Sequence, residues 1–393
     1  MASLVVLLVA VLATKGSGAT PAPDMKSRQC VQLEVPIKLS SFTTTTWNQP
    51  RVDSSIDAVD WVDWMTTWTT PENKASGKTM INQTFKINGQ LCVPTKGTKS
   101  DIVQLATHGV GFDKRYWDVE INPGAYSWLD YTLGQGYSIF TYDRLGTGSS
   151  DKPDAYTIVQ TDVQVEILRQ LTLLLRTGKL VSSSKKLGGS NSLEKYIPKK
   201  IVHVGHSLGS ICTIGLLQVN GSISDGAILT GFLPNNQLSG VSVGTWGFEY
   251  AKESDPKRFG DRGSGYLVQK TKYNVQLSFL KKGTFEPALL DYAESIKQPN
   301  SVGEFVSIGA TFGTPAKDFK GPVQFVVGEN DYGFCKGECY NTYNTTDIKT
   351  NWYPAASTIG YHIQPKTGHG LTLSTNATAG YKATFDFLKT VGL

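Results

Sequence analysis

The chain has 393 residues, 39% of them hydrophobic and 18% charged, a balance that suits a folded globular protein and excludes extended disorder. That length exceeds a minimal domain and falls short of two catalytic ones, so one large core carrying an inserted subdomain is expected. The formal charge of +5 is spread thinly, with only short basic pairs such as Lys185-Lys186 and Lys199-Lys200, and argues for no nucleic-acid partner.

Leu4 to Ala13 form an apolar run followed by the small residues Ser17, Gly18 and Ala19. A bilayer-spanning helix needs about 20 apolar residues, so residues 1–19 read as a cleaved secretory signal and the protein as extracellular. No Lys or Arg precedes the run, which keeps a retained signal anchor open as the alternative. No later stretch is long and apolar enough to span a membrane, and no stable membrane insertion is expected. Four N-x-S/T triplets, at Asn82, Asn220, Asn344 and Asn376, agree with a secretory route as glycosylation candidates.

Residues 20–100 read as an N-terminal extension plus the first strands: Val31 to Leu39, then Asn82 to Val93 with Asn88-Gly89 as a hairpin turn. Trp61, Trp64 and Trp68 have the spacing of one helical face packed on the core. In an oxidising compartment the five cysteines pair as far as they can. Cys335-Lys-Gly-Glu-Cys339 is a short loop that closes on itself, Cys30 and Cys92 then pair, and Cys212 stays free on a buried helix. A zinc site competes poorly, because no His stands at finger spacing.

From residue 101 strands alternate with helices: Ile102–Thr107, Tyr137–Tyr142, a helical face of Val163, Ile167, Leu171 and Leu174, then Ile201–Val204 and Ala227–Leu229. This rhythm predicts an α/β fold, a mostly parallel central sheet flanked by helices, with its first part over 101–232. The Ser-, Lys- and Gly-rich stretch 177–200 reads as an exposed loop. Over 233–319 the rhythm breaks into an aromatic-rich segment that includes Trp246, Phe279, Phe305 and Phe312, with Leu289, Tyr292 and Ile296 at helical spacing; a mainly helical cap inserted into the core is expected there. The core resumes over 320–393 with Pro322–Val327, Ile359–Ile363 and a closing helix bearing Tyr381, Phe385 and Leu388.

Gly205-His206-Ser207-Leu208-Gly209 lies between an apolar strand and the helical run Ile211–Leu217. A sharp strand-to-helix turn crowds the positions two before and two after its centre, so glycines belong there and Ser207 stands free as a candidate nucleophile. A serine hydroxyl needs a base to take its proton. Of the five histidines, His203 and His206 fall within the strand and elbow, His108 at a strand end where it braces a turn, and His362 inside the last strand. His369, in Thr367-Gly368-His369-Gly370, sits in a glycine-flanked loop beyond that strand and is the candidate base. An acid is expected between Ser and His in chain order. Gly328-Glu329-Asn330-Asp331 closes a strand; Asp331 is the choice, further into the loop, and Glu329 its rival. Backbone donors for an oxyanion are expected at Leu208 and, in His108-Gly109-Val110-Gly111, at Val110.

With Tyr142-Asp143-Arg144-Leu145-Gly146-Thr147-Gly148-Ser149 added, five motifs in order from Ile102 onward resemble the α/β-hydrolase superfamily. With its N-terminal run and Cys30 extension the chain is similar to secreted hydrolases of filamentous fungi. The resemblance implies an α/β-hydrolase fold, a serine nucleophile rather than the Asp of epoxide hydrolases and haloalkane dehalogenases, and a structural role for the Asp143 turn; the mechanism read from the residues needs no cofactor or metal. The reaction expected is acyl transfer to water on an apolar or aromatic small-molecule ester, lactone or similar acyl compound. A peptidase or amidase, a biosynthetic cyclase or acyltransferase, and a non-catalytic binding protein on the same fold stay open.

Overall fold

In the computed structural model, residues 28–67, 74–234, 241–311 and 314–393 are described. The signal reading of 1–19, Trp68 and Phe312 fall outside them.

The first two strands are far longer than the sequence pattern indicates. β1 (Arg28–Trp47) and β2 (Ala75–Pro94) run antiparallel along nearly their whole length. Val31, Leu33, Val35, Ile37 and Leu39 alternate inward on β1, the period of a half-buried strand. Asn88-Gly89 is not a hairpin turn but lies inside β2, opposite Glu34 and Leu33. Gly89 is small for a packing reason: a Cβ there would come 2.5 Å from the Phe140 ring. Between the two strands the sequence carries α1 (Ser55–Thr66). Trp61 of that helix is buried in the core, its ring 5.9 Å from that of Phe305 in the later insertion.

β3 (Lys99–Thr107), α2 (Trp128–Gly134), β4 (Tyr137–Tyr142) and α3 (Thr161–Arg176) follow. The expected face of α3 packs inward, with Val163, Ile167 and Leu171 buried. Within 177–200 the structure holds a short exposed strand, β5 (Lys185–Gly189), paired with β1. That stretch is therefore not wholly loop. Its polar sequence hides a strand held by backbone pairing at the sheet edge.

β6 (Lys200–His206), α4 (Leu208–Asn220) and β7 (Gly226–Thr230) form the centre. After β7 comes an insertion carrying β8 (Phe248–Tyr250), β9 (Tyr266–Gln269), α5 (Lys272–Phe279), α6 (Pro287–Ile296), β10 (Asn300–Ser301) and α7 (Val302–Ser307). Leu289, Tyr292 and Ile296 are buried on α6 as their spacing implies. Beside the helices of this mainly helical segment, β8, β9 and β10 make a small antiparallel sheet of their own. β11 (Val323–Gly328), β12 (Ile359–Gln364) and α8 (Ala377–Thr390) complete the core.

The main sheet has nine strands in the order β12-β11-β7-β6-β3-β4-β2-β1-β5. Pairings from β12 to β4 are parallel; those from β4 to β5 are antiparallel. β6, β7 and β11 are buried almost throughout, as strands covered on both faces must be, and read as continuous apolar runs. Two disulfides, Cys30–Cys92 and Cys335–Cys339, and a buried free Cys212 match the expected pairing.

Candidate active site

In a parallel sheet, ligand sites form outside the carboxyl ends of the strands. Six loops leave that rim here, after β3, β4, β6, β7, β11 and β12, and those after β3, β6, β11 and β12 carry the expected site residues.

The loop after β6 is the sharpest. Ser207 has φ 53° and ψ −117°, a left-handed conformation that costs energy in a residue with a side chain. Its neighbours show why only glycines fit. A Cβ on Gly205 would lie 2.5 Å from Ser210 Cα, and one on Gly209 would lie 2.0 Å from the Thr107 carbonyl oxygen. Ser207 N–H donates to the Thr230 carbonyl at 2.9 Å, which pins the turn to β7. The residue is 5% exposed, and its Oγ makes no hydrogen bond among the described residues. Such a bond often tightens only when substrate is bound.

Asp331 follows β11 and caps the single helical turn Tyr332–Cys335. Its Oδ1 accepts from Phe334 N–H at 3.0 Å, and the Cys335–Cys339 bridge closes the same loop. Its Oδ2 lies 2.6 Å from His369 Nδ1. A carboxylate oxygen accepts, so Nδ1 is the donor in this contact and Nε2 lies on the far side of the ring. Both groups are buried, at 0% and 2% exposure. Glu329 points elsewhere, accepting from Lys366 N–H at 2.7 Å. The imidazole of His369 stacks on Phe279 and Phe334, with centroids 5.7 and 5.5 Å away.

The remaining histidines are engaged elsewhere, though His206 Nε2 finds no partner among the described residues. His206 stacks on Tyr116 at 4.3 Å, and its ring lies 4.9 Å from that of His369. Burial, then the nearby His369, holds its pKa well below the usual imidazole value. His203 is bonded on both nitrogens, to Thr172 and Ser224 hydroxyls, and burial pushes it down to about 3. His108 donates from Nδ1 to the Gly109 carbonyl and accepts the Arg144 N–H on Nε2 at 3.0 Å; burial holds it uncharged. His362 bonds Gln364 on its own strand.

The loop after β3 reaches the nucleophile directly: a Cβ on Gly109 would come 2.8 Å from Ser207 Cβ. The N–H groups of Val110 and Leu208 find no acceptor among the described residues. Asp143 holds its own turn, accepting from Lys114 Nζ at 2.9 Å and from the N–H groups of Lys114 and Ser149. Among the described residues, no group of three or more His, Cys, Asp or Glu side chains could hold a metal ion.

A cleft of about 430 Å³ opens beside His369, lined also by Phe279, Tyr273, Leu277, Asn330 and Tyr332. Ser207 does not line it. The places of Phe279 and Phe334 beside His369, and of Glu304, which pairs with Arg144 behind the loop after β3, escape a sequence reading. Phe279 is one of many aromatics in its segment, and Glu304 is marked only by its apolar neighbours Val302, Phe305 and Val306.

A model of the alpha/beta hydrolase family matches residues 105–379, which span all of these rim loops. The chain belongs to that family. Among solved structures, this alpha/beta hydrolase is similar to a carboxylesterase of the thaumarchaeon Nitrososphaera gargenis at 14% identity, covering 78% of this chain and 96% of that one with a TM-score of 0.49. It is also similar to a thermophilic esterase of Thermogutta terrifontis, at 13% identity over 78% and 94% with a TM-score of 0.48. An alpha/beta hydrolase fold protein of Chitinophaga pinensis matches at 15% identity over 78% and 93%, with a TM-score of 0.47. No curated protein matches the chain.

Proposed function

We propose that the protein is a serine hydrolase of carboxylic esters, lactones or similar acyl compounds, with Ser207 as nucleophile, His369 as base and Asp331 as its orienting acid. The observation that carries this reading is the buried 2.6 Å contact between Asp331 and His369, on the same sheet rim as a serine in a strained elbow. In the first step Ser207 Oγ attacks the carbonyl carbon while its proton passes to His369 Nε2. Val110 and Leu208 N–H groups hold the oxyanion. The bond to the leaving oxygen then breaks, and His369 returns the proton to that oxygen. Water attacks the acyl-enzyme, its proton goes to His369 and then to Ser207, and the acid leaves.

Apolar and aromatic substrates are favoured by the rings around His369 and by the cleft beside it. In this reading the insertion serves as the cap. The two disulfides support an oxidising, extracellular compartment. Among the described residues no helix is long and apolar enough to cross a membrane.

The test is labelling with a fluorophosphonate, followed by turnover of p-nitrophenyl esters, lactones and matched amides. Wild type should be labelled and hydrolyse esters, and Ser207→Ala should lose both, with turnover down on the order of 10⁶-fold. Equal turnover by the two proteins would remove the mechanism; faster cleavage of amides would move the protein to the peptidases.

A further inference from the structure

An oxyanion donor acts only if it is already aimed, and a displacement of about 1 Å can cost on the order of 100-fold in rate. The Val110 N–H belongs to a loop with no regular structure, so something else must hold it. One short stretch of the insertion, Gln298–Glu304, ties down Gly111 directly and His108–Gly109 through Arg144, which it pairs.

On one side, Gln298 N–H donates to the Gly111 carbonyl at 2.8 Å, and Gly111 N–H donates to Asn300 Oδ1 at 2.7 Å. Gln298 Nε2 also donates to Asp113 Oδ2 at 3.1 Å. On the other side, Arg144 donates from Nε to the His108 carbonyl at 3.1 Å and from Nη2 to the Gly109 carbonyl at 3.3 Å. Its Nη1 is paired with Glu304 Oε1, which also accepts Gln164 Nε2. Arg144 and Glu304 are both essentially inaccessible, at 0% and 1%. A buried ion pair adds little stability compared with an apolar pair of the same volume, so its directionality is the better account of its presence. A guanidinium offers donors in a rigid planar fork, and here the fork spans two consecutive carbonyls.

We propose that Gln298–Glu304 sets the oxyanion loop, with Asn300 and Glu304 as positioning residues for the Val110 N–H. This rests on the serine-hydrolase reading above. It makes the insertion part of the catalytic apparatus, because a substrate that displaced β10 or α7 would disturb the oxyanion site at the same time.

The test uses the full chain with Asn300→Leu, Asn300→Asp and Glu304→Gln. The readouts are kcat and KM on p-nitrophenyl butyrate per fluorophosphonate-titrated site, and the inhibition constant of an alkyl trifluoromethyl ketone. That ketone's hemiketal oxygen occupies the oxyanion position. Asn300→Leu should lower kcat 10- to 100-fold with KM within twofold, and weaken the ketone by the same factor as kcat/KM. Asn300→Asp keeps an acceptor for Gly111 N–H and should recover activity to within threefold of wild type. Glu304→Gln keeps the contact with Arg144 without the charge and should lie between. If Asn300→Leu does not fold, the parallel loss in Glu304→Gln decides the matter. A reduced number of titrated sites with unchanged kcat per site and unchanged ketone affinity would show packing alone and overturn the proposal. Absence of fluorophosphonate labelling in wild type would instead remove the serine-hydrolase reading, and this proposal with it.

Discussion

On the β1–β2 side of the main sheet, side chains alternate between core and solvent, the strands pair antiparallel over 20 residues each, and a disulfide joins directly opposed positions. On the β6–β7–β11 side nearly every residue is buried, and polar groups such as His203, His206, Ser207 and Asp331 are buried with them. The first arrangement tolerates polar substitutions on its outer face and holds itself by pairing. The second leaves no outer face, so each polar group needs its own partner, and reactive groups can be kept in fixed geometry and low dielectric. Chemistry and regularity are thus separated within one sheet.

The largest effect should come from breaking the polar side without changing its shape. Asp331→Asn keeps the Oδ1 that caps the following turn. It replaces the acceptor at His369 Nδ1 with an amide donor, which favours the tautomer whose Nε2 carries the proton. Turnover of esters should fall on the order of 10⁴-fold, with the thermal midpoint nearly unchanged. A midpoint that collapsed, or a kcat within tenfold of wild type, would mean the pair is structural. The converse experiment removes the disulfide on the regular side. Cys30→Ser/Cys92→Ser should lower unfolding free energy in urea by about 2–4 kcal/mol, because the bridge closes a separation of 62 residues. kcat and KM per active site should not change. A loss of kcat would show that the two halves are mechanically coupled.

The same division explains what could be read from the sequence. Gly205 and Gly209 announce the Ser207 elbow because the crowding they relieve comes from residues close in sequence or at the end of an adjacent strand. Periodicity on α3 and α8 is likewise local. Asn88-Gly89 misleads for the opposite reason: Gly89 is required by Phe140, some 50 residues away, and no nearby residue records it. β5 is polar and fully exposed, so its strand character lies only in its pairing with β1. The Arg144–Glu304 pair joins positions 160 apart. Nothing periodic marks either residue, and a lone buried acid in a cap segment looks like any other acid.

A further effect separates the halves by pH. His203, in β6, is held to about 3 by burial and by the neighbouring Arg176 charge, whereas in the unfolded chain it titrates near 6.5. Between those values the unfolded state binds a proton that the folded state refuses. Unfolding free energy therefore rises with pH across this window; the contribution is present above 6.5 and is lost as pH falls towards 3. For one histidine the slope is about 1.4 kcal/mol per pH unit. His108 and His206 are shifted in the same direction and should add to it. The β1–β2 hairpin contains no histidine, so acid should weaken the parallel side first. Urea unfolding of wild type and His203→Asn between pH 7 and 4 measures the difference, and the variant's slope should be shallower by about 1.4 kcal/mol per unit. Hydrogen exchange at pH 4.5 should show amides of β6 and β7 losing protection before those of β1 and β2. Identical slopes would mean that His203 keeps its proton in the fold, with the Thr172 and Ser224 oxygens accepting from both of its nitrogens.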